Sequence, residues 1–440
     1  MHSTYIFFLF AFFIRLVFII FQNPNVEGLI EDELLYWNKS LKFLNEGYLE
    51  DSVVTERMPG IFIYIKLLLL LSFKNLKVFL ILQSIIDSLT CIIIFKAGSI
   101  IFPKEKKFIL LFAVLSPLMI IISSQVLSET IFLFFFSLFL YHSIKVITYE
   151  KGLYLNILLA GLFLGLTTSI RAITYPLIFL SILPFTIIFL KNNIPNYKII
   201  FASVIFLLFS LFPISLRIID NLKSYNTYSL TSQSGTHLAF WVVPMILSDT
   251  RDISRNDAMD LVVKHIQSKY KFSNNPYKDD AMLRKASFEV LSQMNKFNIA
   301  YHWGKAGFIN LFSPVILLDK SLRSLPHPSY YDTGNFFQWI KLISSKKEYY
   351  NYIIILFVAS ITSILSLILF TFGAFLVFKK NKIIFYITTL NILYFLVITG
   401  PVLSPKYIFP ILPCIFLYQG VALYEIIKVF KILLKKKKLV

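Results

Sequence analysis

The residues of this sequence that could carry chemistry are few, and they sit at the ends of apolar runs. Three acids stand together in Glu31-Asp32-Glu33, and a single arginine, Arg57, precedes Met58-Pro59-Gly60. A carboxylate positioned against a hydroxyl or amine can take its proton, so Asp32 is the candidate base and Glu33 the runner-up. A guanidinium offers phosphate a planar fork of donors, which makes Arg57 the candidate phosphate ligand beside an interfacial segment. Each has a plainer reading. Acids in a first helical turn favour the helix dipole whatever else they do, and a juxtamembrane arginine can be a simple headgroup contact. The weight therefore falls on their company.

That company lies at other junctions between apolar runs. Glu129 closes Ser123-Ser124-Gln125-Val126-Leu127-Ser128-Glu129, and Arg171 ends Thr167-Thr168-Ser169-Ile170-Arg171. An acid at the mouth of a helical bundle is costly unless hydrated or paired, and Arg171 is its natural partner. Lys406-Tyr407 adds a cation at the start of the last apolar run, and His237 opens a long polar loop. No second ligand stands at metal-binding spacing from His237, so no metal site is assigned. Asp32 and Glu129 could share a divalent cation, but two acids are a thin basis, and no cofactor is assigned. Phosphate-binding P-loops, nucleophile elbows, zinc-protease motifs and dinucleotide fingerprints are all missing. A soluble nucleotide-sugar or ATP enzyme is therefore unsupported.

The elements that position these residues are membrane helices. Of 440 residues 57% are hydrophobic and only 15% charged. Apolar runs cover residues 4–21, 78–102, 108–123, 127–147, 153–170, 172–190, 199–216, 352–378, 383–399 and 407–430. Most approach or exceed the roughly 18 to 20 residues a helix needs to cross a bilayer. They are apolar on every face, unlike barrel strands. The net charge of +19 comes from lysines clustered between the runs, which excludes a nucleic-acid interface with interleaved aromatics. Arg15, inside the first run, is expected to snorkel to an interface, and Asp87 is given no role. Cys91 and Cys414 fall inside apolar runs and supply neither a disulfide framework nor a zinc site.

Topology reduces to whether residues 61–73 cross. If they do not, the patches Lys104/Lys106/Lys107, Lys145/Lys151, Lys191/Lys198, Lys379/Lys380/Lys382 and Lys435 to Lys438 share one side, the cytoplasm by the positive-inside rule. The expectation is thus an all-α polytopic membrane protein with about ten transmembrane helices. Both termini are cytoplasmic, and residues 61–73 form a juxtamembrane helix in the first outer loop. Residues 1–216 form an N-terminal membrane module with an acidic outer loop at 22–77. Residues 217–350 form a large, mostly helical outer loop, and residues 351–440 the last membrane helices with a basic tail. In the large loop, Asn275-Pro276 has cap chemistry opening a helix, and Met282, Ala286, Val290 and Met294 mark one apolar face. A second helix is expected over residues 254–270.

Several local patterns, taken in order, resemble the GT-C superfamily of integral-membrane glycosyltransferases, which includes protein O-mannosyltransferases and the lipid A aminoarabinose transferase. Asp32-Glu33 with Tyr36 and Gly47 is similar to the acidic first outer loop. Arg57-Met58-Pro59-Gly60 resembles the basic residue and proline that follow it. Ser116-Pro117 through Ser128-Glu129 resembles the second outer loop. Gly161 to Gly165 and on to Arg171 resembles the glycine-containing span that ends in arginine. Arg217 to Asn221, with Gly235 and His237, resembles the start of the large loop, and Lys406-Tyr407 with Pro410 and Pro413 the basic element near the C-terminus. Lys406 stands where members often carry arginine, and Gly60 where many carry a second proline.

The resemblance implies an inverting hexosyl- or pentosyl-transferase at the outer face of a bacterial inner membrane. Its donor would be a polyprenyl-phosphate-linked sugar and its acceptor a lipid, glycan or protein. It would place Asp32 or Glu33 as base, Arg57 with Arg171 and Lys406 on the donor phosphate, and Glu129 and His237 in positioning an acceptor or ion. Membrane lipid is the other partner, and nucleic acid is not one. Two other classes stay open. A membrane glycan polymerase or ligase would centre on His237 or Arg217, and a transporter of lipid-linked glycans would carry its ionisable residues in mid-span.

Overall fold

The computed structural model describes residues 2–148, 152–328 and 336–437, so Lys151 and Lys438 lie outside the described residues. Helix α1 (His2–Gln22) leads to a first loop region built from α2 (Glu31–Glu46), α3 (Asp51–Glu56) and α4 (Pro59–Leu71). The bundle continues with α5 (Leu76–Ile101), the bent pair α6 (Lys106–Leu115) and α7 (Pro117–Ser123), then α8 (Glu129–Ile147) and α9 (Leu153–Ile170). After these come α10 (Tyr175–Leu180) with α11 (Ile182–Lys191), and α12 (Asn196–Leu211) with α13 (Ser215–Tyr225). The long loop holds α14 (Ser234–His237), α15 (Val243–Arg251), α16 (Arg255–Lys269), α17 (Pro276–Ser292), α18 (Lys296–Phe312), α19 (Lys320–Arg323) and α20 (Phe336–Ser345). Helices α21 (Tyr350–Lys380), α22 (Lys382–Thr399) and α23 (Leu412–Lys437) complete the chain.

Among the described residues there is no strand. Nine helices among the described residues are long and apolar enough to cross a membrane, and a tenth span forms if the α6–α7 pair, bent by 45°, counts as one. This is an all-α integral membrane protein. The bend falls at Ser116-Pro117, where proline removes a helix donor and Ser116 Oγ caps the Met119 N–H at 3.3 Å.

Helix α4 is too short to cross as a straight helix. Its 13 residues span about 20 Å, short of the roughly 30 Å of hydrocarbon. Both of its ends also lie at the same end of the bundle. Arg57 before it pairs with Asp32, while Gln83, two turns into α5, donates to the carbonyls of Ser123 at 3.0 Å and Gln125 at 2.7 Å. The long loop returns to this end as well, because the Ser232 N–H donates to Thr55 O at 2.8 Å. With α4 outside the count, Lys104, Lys106, Lys107, Lys145, Lys191, Lys198, Lys379, Lys380, Lys382 and Lys435 all fall at the opposite end. There Lys380 bridges Glu105 and Glu425, at 2.7 Å from each.

Small residues set the approach of α9 to its neighbours. A Cβ on Gly161 would stand 2.6 Å from Phe206 O, and one on Gly165 2.3 Å from Ser210 O, so α9 and α12 meet almost backbone to backbone. This contact fixes the end of α9, and Arg171 is its C-cap.

One expectation is corrected. Arg15 does not snorkel: it is wholly buried and ion-paired with the wholly buried Asp87 of α5. Its remaining donors reach Ala11 O at 3.0 Å, Val114 O at 3.3 Å and Cys91 Sγ at 3.3 Å. Arg15 is enclosed by α5 and α6, and Asp87 on α5 supplies the counter-charge that a snorkelling arginine would find in water.

The long loop has a small core of its own, in which Val242, Ile246, Val262, Ile266, Leu283 and Leu291 are buried. Helices α16 and α17 begin at side-chain caps. Ser254 accepts from the Asp257 N–H, and Asn275 accepts from the N–H groups of Tyr277 and Lys278.

Candidate active site

The site is built from four chain junctions at the loop-bearing end. The first is the opening turn of α2, where Glu31, Asp32 and Glu33 lie in sequence. Successive helix positions are about 100° apart, so adjacent acids point to different places. Asp32 shares a face with Tyr36, one turn on, and Glu33 shares one with the buried Trp37.

The structure separates the two acids by their partners. Asp32 Oδ1 accepts from Arg57 Nη2 at 3.1 Å, and its Oδ2 lies 3.9 Å from Lys406 Nζ. The three side chains are each about one third exposed, at 35%, 30% and 32%. Glu33 is almost fully buried and turned the other way. It is ion-paired with Lys320 of the long loop and accepts from the Val126 N–H at 3.1 Å. Burial pushes the Glu33 carboxyl above its ordinary range, with Lys320 and the Val126 N–H pulling against it.

Arg57 is delivered by the second junction. It is the C-cap of α3 in extended conformation, with its N–H on Val53 O, and Met58-Pro59 then starts α4. Its guanidinium lies over the Tyr36 ring, 6.0 Å from the centroid, and its Nε is buried without a hydrogen-bond partner. Gly60 makes the junction tight: a Cβ there would stand 2.4 Å from Ser169 O, two residues before Arg171.

The third and fourth junctions supply the second ion pair and the lysine. Arg171 Nη1 donates to Glu129 Oε1 at 2.8 Å, and Ser128 Oγ donates to Glu129 Oε2 at 3.2 Å. The Arg171 guanidinium lies 5.9 Å from the Phe132 ring centroid. Lys406 comes from the 3₁₀ turn Pro405–Ile411, and its charge acts on Glu129 as well as on Asp32. Tyr36 stands between the two pairs. Burial raises its phenol pKa, and the charges of Arg57, Asp32, Glu129 and Arg171 all act on it.

Asp32, Arg57, Glu129, Arg171 and Lys406 therefore come together around Tyr36. Glu33 lies beside the cluster but faces away. His237 is not part of it, since its Nε2 contacts Thr399 O at 3.0 Å. Arg217, the alternative centre in the long loop, is engaged with Val54 O, Leu230 O and the Tyr277 hydroxyl. No group of three His, Cys, Asp or Glu side chains converges among the described residues. The sequence reading gave no role to Lys320, and its distance of 292 residues from Gly28, whose carbonyl it also contacts, left no local signal for one. Tyr36 could have been singled out from its one-turn spacing to Asp32.

The cluster brings two carboxylates and three cations together, a net charge of plus one, with Glu129 buried and the other four side chains about one third exposed. It can take one monoanion while keeping a carboxylate beside it.

No family model matches the chain, and no curated protein does. Solved structures similar to it include two of one protein. One is ArnT from Cupriavidus metallidurans bound to undecaprenyl phosphate, at 9% identity, covering 97% of this chain and 78% of that one, with a TM-score of 0.43. The other is ArnT from Cupriavidus metallidurans in the apo state, at 11% identity, covering 90% and 73%, with a TM-score of 0.37.

Proposed function

We propose that this protein transfers a sugar from a polyprenyl-phosphate-linked donor to an acceptor hydroxyl or amine, with inversion at the anomeric carbon. The reaction takes place at the outer face of the membrane, the end opposite the lysine patches. The observation that carries the reading is the Asp32–Arg57 contact, at 3.1 Å, with Lys406 on the other oxygen of the same carboxylate.

Charge bookkeeping supports it. A sugar phosphodiester carries one negative charge, which the net charge of the cluster matches. In the transfer the acceptor heteroatom forms a bond to the anomeric carbon, and the bond from that carbon to the phosphate oxygen breaks with its electron pair. The leaving polyprenyl phosphate gains a second negative charge. Asp32 takes the proton released by the acceptor and becomes neutral, so the cluster gains one positive unit as the phosphate gains one negative. Arg57 and Lys406 stabilise the charge that develops on the phosphate. Phosphate is already a competent leaving group, so no general acid is needed. A carboxylate is a weak base toward a hydroxyl or amine, so proton transfer is late and placement dominates.

Of the two adjacent acids, Asp32 takes the role because it is accessible and faces the cations. Glu33 holds the start of α2 to Lys320 and Val126. Glu129 holds Arg171 in place. His237 serves the packing of the long loop against α22.

The test is transfer of radiolabelled sugar from a membrane lipid pool at matched protein levels. Asp32→Asn and Arg57→Ala are each expected to lower transfer by about a hundredfold or more. Full transfer by both variants overturns the reading.

A further inference from the structure

We propose that Arg217, on α13, and Ser232, in the loop that follows it, are positioning residues for Arg57. The proposal rests on the function given above and adds to it where the precision of the phosphate site comes from. Arg57 has no regular element of its own. It follows α3, a helix of six residues, too short to hold its place by internal hydrogen bonds. The last carbonyls of any helix also lack partners within the helix. In α3, Arg57 itself takes the Val53 carbonyl through its backbone N–H at 2.9 Å. The next two carbonyls are taken by residues far along the chain.

Arg217 Nη2 donates to Val54 O at 2.6 Å. The Ser232 N–H donates to Thr55 O at 2.8 Å, and Ser232 Oγ donates to the same oxygen at 3.1 Å. Thr55 and Ser232 are both buried. The gripping side is braced in turn. Arg217 also reaches Tyr277 Oη at 2.8 Å and Leu230 O at 3.3 Å, while the buried Asn221 donates to Ser229 O at 2.6 Å. Residues 229–232 are thus fixed to α13 and α17, and α3 is fixed to them. Arg57 follows Thr55 by two residues, so a shift of this grip moves the guanidinium against Asp32. Arg217 spends its donors on carbonyls and a phenol, which is a placing role and leaves the phosphate to Arg57.

A double-mutant cycle on transfer tests this, using full-length protein in membranes with a labelled short-chain polyprenyl-phosphate sugar. Arg217→Ala is expected to lower kcat/KM by about tenfold or more, since displacements near 1 Å can cost a hundredfold. Arg57→Ala with Arg217→Ala is expected to be no worse than Arg57→Ala alone, because the two act as one unit. Arg217→Lys keeps the charge but loses the fork, and is expected to fall near the alanine variant. Should Arg217→Ala fail to accumulate as folded protein, Ser232→Ala, which removes a single hydroxyl contact, carries the same cycle with a loss of about twofold to fivefold. Losses that multiply in the double variant overturn the proposal, as does a silent Arg217→Ala, or a silent Ser232→Ala where Ser232 carries the cycle. A silent Arg57→Ala instead removes Arg57 from the donor site, and together with a silent Asp32→Asn it overturns the reading of this cluster as the transfer site, so the two failures are told apart.

Discussion

Asp32 Oδ1 accepts from Arg57 Nη2 at 3.1 Å across 25 residues of chain, and both side chains remain about one third exposed. A half-exposed pair of this kind contributes little to folding, about 0–1 kcal/mol. Under the proposed function its importance lies in what it places, a base and a phosphate ligand in contact. Asp32→Asn is therefore expected to lose transfer while its melting temperature in detergent stays close to wild type. Loss of folded protein in step with activity would move Asp32 from chemistry to structure.

Glu33 is expected to behave in the opposite way. Its carboxylate is buried, paired with Lys320 and hydrogen-bonded to the Val126 N–H. Glu33→Gln keeps an acceptor for Val126 but leaves Lys320 without its counter-charge, at a cost of about 1–3 kcal/mol. Melting and transfer per folded molecule, measured together, should show a less stable protein with near-normal turnover. A stable but inactive Glu33→Gln would return Glu33 to the role of base.

Gly60 is where the Arg57 segment touches the Arg171 segment. Gly60→Ala puts a methyl group 2.4 Å from the Ser169 carbonyl oxygen, a backbone atom that cannot swing aside. Overpacking of this kind costs about 1–3 kcal/mol, and it should also weaken transfer by parting the two arginines. Normal stability and transfer in Gly60→Ala would show that α4 and α9 can separate freely.

How much of this was legible in the sequence depended on range. Apolar runs and cap chemistry are local, so the spans and the starts of α16 and α17 at Ser254 and Asn275 could be read directly. The shortness of α4 was readable too, because Pro59-Gly60 starts the apolar run late. The Glu129–Arg171 partnership followed from two charges at successive mouths of the bundle. The orientation of Glu33 was not readable, since it depends on Lys320, and one step along a helix turns a side chain through about 100°. Arg15 was misread for the same reason. Its partner Asp87 lies 72 residues away, and nothing local distinguishes a paired arginine from a snorkelling one.

Glu50 gives a pH signature separate from the candidate site. It lies between α2 and α3, with Lys39 at 2.5 Å and Lys42 at 2.5 Å, and these two ammonium groups hold its carboxyl down to about 2. A carboxyl whose pKa is lowered on folding adds stability above its unfolded pKa, and that stability is lost as pH falls toward the folded value. Wild type should melt above Glu50→Gln at pH 6, and the gap should close between about pH 4.5 and pH 2. A gap that does not change with pH would mean that the two lysines do not hold Glu50 in solution.

The Arg15–Asp87 pair yields the sharpest stability test. Both side chains are wholly buried, on helices α1 and α5, and neither can reach water. Arg15 adds bonds to Ala11 O, Val114 O and Cys91 Sγ, which tie α1 to α5 and α6. Removing one partner strands a charge in the bundle, and breaking a buried pair typically costs about 3–5 kcal/mol. Removing both leaves an apolar contact between helices, often close to neutral. Arg15→Leu and Asp87→Leu should each accumulate poorly and melt early in detergent, and the double variant should recover most of the loss. Additive losses in the double variant would show that the arginine's backbone bonds, and not the ion pair, hold α1 in place.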